Sequence, residues 1–430
     1  MLLKKIEQQV LEQQQDGWIY PQYGGYCISN IADAVRYIFG IGKAGPFSPI
    51  LDAAGIVPSN RQKIVALLLD AFGWNQWLRY SDRFEFLKRI SGHGALAPIT
   101  SVFPSTTPVA LTSIRSGLTP RQHGLPAGQV YYEELGQIIS PLRFRPLNGD
   151  RQDQLLESGV DPRILFDGTT SYDTLGKAGI PSFSLTHEVL KSGVFGSVTT
   201  HGSTEVPFFK ADGLAKALFS KLTEVAPPAY FSAYFGIIDV VAHSHGVHSE
   251  QYLAELELLF TSLQNEFIAK LPRDVAEETV LLVFADHGHI GIEPQETVYL
   301  NRYPLLVENL RTGPDGEIIP PWGELPRTVF LAIEDGKLEE TSDFLTKELK
   351  GTARVFKTAE AIEDGLFGVG NPHPRFERRV GDILLVPERN KTLWYELPGR
   401  EMPLVKSTHG GLSPEEMLVP FAAAKISDLQ

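Results

Sequence analysis

Residues 281–290 read LLVFADHGHI, an apolar run that closes on an acid, an imidazole and a glycine turn. Such a run is expected of a central strand covered on both faces, and its C-terminal end is where an open α/β sheet collects ligands. Asp286 and His287 place a carboxylate beside an imidazole at that end, which is half of a metal site. A second run, KIVALLLD at 63–70, likewise ends in an acid, Asp70. An unpaired buried carboxylate costs on the order of several kcal/mol. Two such acids in one sheet therefore need arginines, helix termini or cations, and a metal site in the crevice accounts for both together.

Two further segments carry ligand types. In YFGIIDVVAHSHG (234–246), Asp239 and His243 are four apart, the spacing that stacks two side chains on one helical face. Alone, the pair is equally the spacing of a surface ion pair, and it gains meaning from the acidic strand ends. His409 lies in KSTHGG (406–411), a glycine-rich turn suited to holding a ligand on a loop. Asp70, Asp239, His243, Asp286, His287 and His409 thus supply six ligands, three for each of two ions, with His245, His248 and His289 left as partners that orient ligands or contact substrate. Histidine content favours zinc, with manganese or magnesium as the other options. Two such cations suit phosphoryl transfer, one activating the nucleophile and the other steadying the leaving oxygen. A threonine at a helix N-terminus is then a nucleophile candidate, and both Thr106 and Thr107 in TTPVALTSIRSG (106–117) qualify.

The surrounding pattern alternates strands and helices, as in a doubly wound α/β sheet. Strands are expected at KIVALLLD, LAPITSVFP, SGVFGSVTT, AYFSAYFGII and ETVLLVFAD; helices are expected at ISNIADAVRYIF behind a Ser29 cap, at 106–117, and over ADGLAKALFSKLTEV and SEQYLAELELLFTSLQNEFIAKL. The boundaries read as an N-terminal extension over 1–60, a first core part over 61–300, an inserted α/β piece over 301–399 and a last core part over 400–430.

A net charge of −13 over 430 residues argues against a nucleic-acid polymer as partner, while a small phosphate ester remains compatible because divalent cations invert the local field. No apolar stretch is long enough to span a membrane, and the polar N-terminus lacks the apolar core of a leader. With Cys27 as the single cysteine, no intrachain disulfide forms, and a cytoplasmic location is the expectation.

In this order, these residues resemble the alkaline phosphatase superfamily, and within it the type I phosphodiesterase/nucleotide pyrophosphatase family, over about 63–300 and 400–425. The resemblance implies an alkaline-phosphatase-like α/β/α sandwich with a smaller inserted α/β subdomain. It implies one zinc held by Asp239, His243 and His409 and another by Asp70, Asp286 and His287. Thr107 is the implied nucleophile, since it lies ten residues before Gly117 in SIRSGLTPRQHG, which looks like the family's TGLxPxxHG; Thr106 stays open because FPSTTP shifts the proline. The family's asparagine three residues past the nucleophile falls on Ala110, so another group must replace it, and DVVAH carries Ala242 where the family has glycine. The implied activity is hydrolysis of a phosphodiester or nucleotide pyrophosphate. A phosphomonoesterase, a phosphosugar mutase or a nonenzymatic metal-containing binding protein are the alternatives. A sulfatase is disfavoured because Cys27 lacks the CxPxR setting. Arg375, Arg378 and Arg379 are considered for contacting phosphate, and Trp74, Trp77 and Tyr80 for stacking on a base.

Overall fold

The computed structural model describes residues 1–12 and 14–430. The N-terminal helix α1 (Lys4–Leu11) lies against the main sheet, with the Leu3 N–H donating to Leu96 O at 2.9 Å. Helix α2 (Ile31–Ile38) follows a short 3-10 turn over Ile28–Asn30. Ser29 sits inside that turn, and the flanking Asn30 makes no capping bond, so the expected serine cap is absent.

The main sheet begins with β1 (Lys63–Leu69), in which every residue is buried, and β2 (Ala95–Thr100). Helix α3 (Thr107–Ser116) is stopped by Gly117, whose φ of 78° lies in the left-handed region that glycine adopts without strain. Strands β3 (Ser182–His187) and β4 (Thr204–Phe208), helix α4 (Ala211–Glu224) and strand β5 (Ala229–Phe235) come next. Helices α5 (Ile237–His245) and α6 (Glu250–Ser262) lead to β6 (Thr279–Phe284). The expected strand SGVFGSVTT is instead a short helix over Val194–Thr199 that buries Val194 and Phe195, and the strand beside β5 is β3. The β-branched content of that stretch is outweighed by its packing.

Residues beyond 300 build a second sheet from β7 (Trp322–Glu324), β8 (Thr328–Leu331), β9 (Ala353–Lys357) and β10 (Ile383–Pro387), in the order β7-β8-β10-β9, with helix α7 (Leu338–Glu348) packed on it. Leu393–Trp394 pairs with Val298–Tyr299. Successive residues of a strand point to opposite faces. In β8 and β10, Val329, Leu331, Ile383 and Leu385 therefore fill a small separate core, while Phe330, Leu384 and Val386 face the large one. The chain ends on β11 (Leu418–Lys425), which returns to the main sheet.

The seven-stranded order is β2-β11-β6-β1-β5-β3-β4. The pairings of β1 with β5 and β6, and of β3 with β5 and β4, are parallel; β11 runs antiparallel to both its neighbours. The architecture is the α/β sandwich of alkaline-phosphatase-like proteins. No helix among the described residues is long and apolar enough to cross a membrane.

Candidate metal centre

The parallel register of β1 and β6 sets Leu68 opposite Phe284, so Asp70 and Asp286, each two residues further on, leave the sheet side by side. Ala71 then turns the chain with a φ of 61°. Its N–H, at 3.1 Å, and that of His287, at 3.0 Å, both donate to Asp286 Oδ1. Asp70 Oδ2 accepts from the Tyr234 hydroxyl, delivered by β5. The remaining oxygens, Asp70 Oδ1 and Asp286 Oδ2, are buried without any hydrogen-bond partner. They lie 3.4 and 3.5 Å from His287 Nε2. Buried polar atoms are rarely left unpaired, and two carboxylate oxygens facing one imidazole nitrogen are what a cation would satisfy. Burial, followed by the charges of Asp286 and Asp239, pushes Asp70 well above the usual carboxylate range.

The histidines are held from behind. His243 Nδ1 lies 3.0 Å from Ser407 O, His409 Nδ1 lies 3.0 Å from Ser105 O and His287 Nδ1 lies 3.1 Å from Gly288 O. A carbonyl only accepts, so in the neutral rings the proton is assigned to Nδ1 and Nε2 keeps its lone pair. His289 Nδ1 is 2.9 Å from Ser407 Oγ, whose own hydrogen goes to Ala242 O at 2.7 Å, which assigns the same tautomer. The bare nitrogens then converge on Asp239 Oδ1, at 2.7 Å for His289, 3.5 Å for His243 and 3.8 Å for His409. Acceptors aimed at acceptors, each oriented by a partner behind it, form a cage that fits a divalent cation. Burial lowers His289 to about 4 and His409 well below the usual imidazole range.

Two groups of ligand atoms result, one from Asp70, Asp286 and His287 and one from Asp239, His287, His289 and His409, each with its atoms within 4.8 Å of one another. These clusters are consistent with a two-metal active site. Five of the six residues singled out from the sequence fall in these two groups; His287, expected at one ion, is shared by both, and His243 lies outside them with its Nε2 3.5 Å from Asp239 Oδ1. His289, expected as an orienting partner, enters the ring itself, while His243 stands at its edge. His287 and His289, two residues apart in HGH, bring their ring centroids to 6.1 Å.

The two threonines separate. Thr107 opens α3, and its Oγ1 lies 3.1 Å from His287 Nε2. Thr106 is extended, with φ −135° and ψ 145°, and donates instead to Glu324 Oε2 at 2.6 Å. Glu324 comes from β7 and was not singled out from the sequence. The remaining side chains considered from the sequence have partners within the protein. Arg379 is buried and donates to Gly124 O at 2.7 Å and Ile164 O at 3.0 Å, while Arg375 and Arg378 pair with Glu134 at 3.7 Å and Glu133 at 3.4 Å. Trp74, Trp77 and Tyr80 belong to the core. His245 and His248 line a cavity of about 630 Å³ that reaches the centre at His289 and Ser407 and carries Arg79 and Lys406 on its wall.

Fold and centre together define a metal-binding hydrolase acting on phosphoric esters. Residues 64–411 match the model of the family described as type I phosphodiesterase / nucleotide pyrophosphatase, and the chain belongs to that family. No curated protein matches it in sequence. Among solved structures it is similar to murine ectonucleotide pyrophosphatase / phosphodiesterase 5, in an inactive form in complex with AMP, at 20% identity over 84% of this chain and 88% of that one, with a TM-score of 0.61. It is also similar to phosphonoacetate hydrolase from Sinorhizobium meliloti in complex with phosphonoformate, at 19% identity over 86% and 95% of the two chains, with a TM-score of 0.61. At these identities the likeness to the two structures concerns the fold.

Proposed function

We propose that this enzyme hydrolyses small phosphodiesters or nucleotide pyrophosphates through a threonine nucleophile, Thr107, in a cytoplasmic setting. The observation that carries the reading is the placement of Thr107 Oγ1, at the N-terminus of α3 and 3.1 Å from His287 Nε2, the imidazole common to both ligand clusters. Two divalent cations, zinc by the nitrogen-rich donor set, would neutralise the phosphoryl charge and favour ionisation of the hydroxyl. Thr107 Oγ1 attacks phosphorus in line as the bond to the leaving oxygen breaks, giving a phosphothreonine. Water then cleaves that intermediate, returning the threonine hydroxyl and releasing the phosphoryl product. The N–H groups at the start of α3 attract the anion, since they have no acceptor within the helix. The cavity beside His289, with Arg79 and Lys406 on its wall, suits an anionic leaving group. AMP and phosphonoformate, bound by the two structural relatives, are a phosphate ester and a phosphonate, both small phosphorus anions.

The test is an assay of zinc-loaded protein against p-nitrophenyl phosphate, bis-p-nitrophenyl phosphate and phosphonoacetate. Diester preference supports the reading, monoester preference moves the enzyme to the phosphomonoesterases, and phosphonoacetate turnover alone moves it to carbon–phosphorus cleavage. For the ligands, Asp286→Asn is expected to lower the metal content from about two ions per chain to about one, read by elemental analysis of dialysed protein. Full retention of both ions would remove Asp286 from the ligand set. His289→Ala is expected to weaken the remaining cluster at least about ten-fold in a calorimetric zinc titration.

A further inference from the structure

Glu324 is placed with more care than a structural cap needs. It arrives from β7, 218 residues along the chain from Thr106, yet its Oε2 accepts from Thr106 Oγ1 at 2.6 Å and from the Gly128 N–H at 3.1 Å. Two glycines make room for it. A Cβ at Gly128 would stand 2.1 Å from Glu324 Oε2, and one at Gly410, which follows His409 and holds a φ of 122°, would stand 2.6 Å from Glu324 Cγ. Among the described residues no cation pairs with this carboxylate. Oε1 has no hydrogen-bond partner there either and is not among the sealed buried atoms. Thr106 immediately precedes Thr107, their Cα atoms about 3.8 Å apart. An acceptor-only group therefore stands unpaired beside the helix N-terminus to which the phosphoryl anion must come.

We propose that Glu324 determines substrate charge, its free Oε1 opposing the second negative charge of a dianionic monoester and so favouring a monoanionic diester. This rests on the ester-hydrolase reading above and names the device that selects the ester. A carboxylate held by the residue next to the nucleophile would penalise each extra charge on a phosphoryl group bound there, in a partly buried setting where screening is weak. Burial raises the Glu324 carboxyl to about 7, against the lowering effect of the Thr106 hydrogen bond, so the charge that opposes a dianion is developed above that pH, and the comparison of esters belongs at pH 8 or higher.

The decisive variant is Glu324→Gln, which keeps an oxygen for the Thr106 and Gly128 donors and turns the free end from a negative acceptor into a neutral donor. In zinc-loaded protein the ratio of kcat/KM for p-nitrophenyl phosphate to that for bis-p-nitrophenyl phosphate is expected to rise at least about ten-fold, with metal content and melting temperature as controls. Calorimetric titration with inorganic phosphate at pH 8 is expected to show tighter binding in the variant by a similar factor. An unchanged or lower ratio with unchanged phosphate affinity overturns the proposal. A wild-type measurement decides it if the variant folds poorly. Dimethyl phosphate should bind the zinc-loaded protein at least as tightly as inorganic phosphate, although two cations alone would favour the dianion, and phosphate binding at least about ten-fold more tightly overturns the proposal. Because binding needs no turnover, this arm also decides the matter if every ester proves inert, a result that would sink the hydrolase reading by itself.

Discussion

Thr107→Ala is expected to remove ester hydrolysis, by about a thousand-fold or more in kcat, while leaving the protein able to load both cations. The hydroxyl is the atom that attacks phosphorus in the proposed reaction, and no neighbouring group is placed to substitute for it. Ser113 is engaged by His123 at 3.0 Å, and Thr106 is turned toward Glu324. The substitution leaves the ligand side chains intact, so metal content by elemental analysis should match the wild type. Thr107→Ser restores a hydroxyl on the same carbon framework and should recover a substantial part of the rate. Thr106→Ala removes a donor to Glu324 and is expected to cost far less turnover. The reverse pattern, with Thr106→Ala inactive and Thr107→Ala active, would move the nucleophile by one residue and detach it from His287.

Arg327→Met is expected to destabilise the fold by about 3–5 kcal/mol, because it strands a buried carboxylate. Arg327 and Glu416 are fully buried and pair through two parallel bonds, Nε to Oε1 at 2.9 Å and Nη2 to Oε2 at 2.8 Å. Glu416 Oε1 also accepts from the Gly411 N–H at 2.8 Å. The pair thus joins the segment between β7 and β8 to the turn that presents His409. Burial raises Glu416, but Arg327 outweighs it, so the folded value lies below the ordinary 4.5. A carboxyl whose folded pKa is depressed contributes stability that is present above its unfolded value and lost as pH falls through the folded one. The urea midpoint of the wild type should therefore fall as the pH drops below about 4.5, and that component should vanish in Arg327→Met. The double variant Arg327→Met with Glu416→Leu should regain much of the lost stability, since paired removal leaves no orphaned charge. A single variant as stable as the wild type would mean that the pair does not hold the turn.

The apolar runs before Asp70 and Asp286 made the central strands legible, because a strand buried on both faces has no reason to alternate. SGVFGSVTT misled for a related reason. Its valines and phenylalanine describe a buried segment, and burial by itself does not distinguish a short helix from a strand. The strand Ser182–His187 carries no clear sequence signal, because its serines and threonine dilute the apolar pattern and it is only partly covered in the sheet. Arginine positions were equally ambiguous. Arg379 occurs in a basic cluster that reads as a surface turn, yet its guanidinium is spent on the Gly124 and Ile164 carbonyls.

Ligand chemistry and its placement at strand ends follow from the sequence alone. An acid that closes a buried strand and an imidazole next to it can be recognised from local neighbours, and the order of such pieces along the chain is specific enough to mark the family. For His243, His289 and His409, which nitrogen faces inward was decided only by tertiary structure, since the orienting Ser407 and Ser105 lie far from them in the chain, whereas His287 is oriented by its neighbour Gly288. The same holds for the entry of His289 into the ring, the separation of Thr107 from Thr106, and the arrival of Glu324 across 218 residues at the helix that carries both threonines. Local pattern records which side chains the backbone can present; which of them meet depends on packing between distant segments, and no local spacing encodes it.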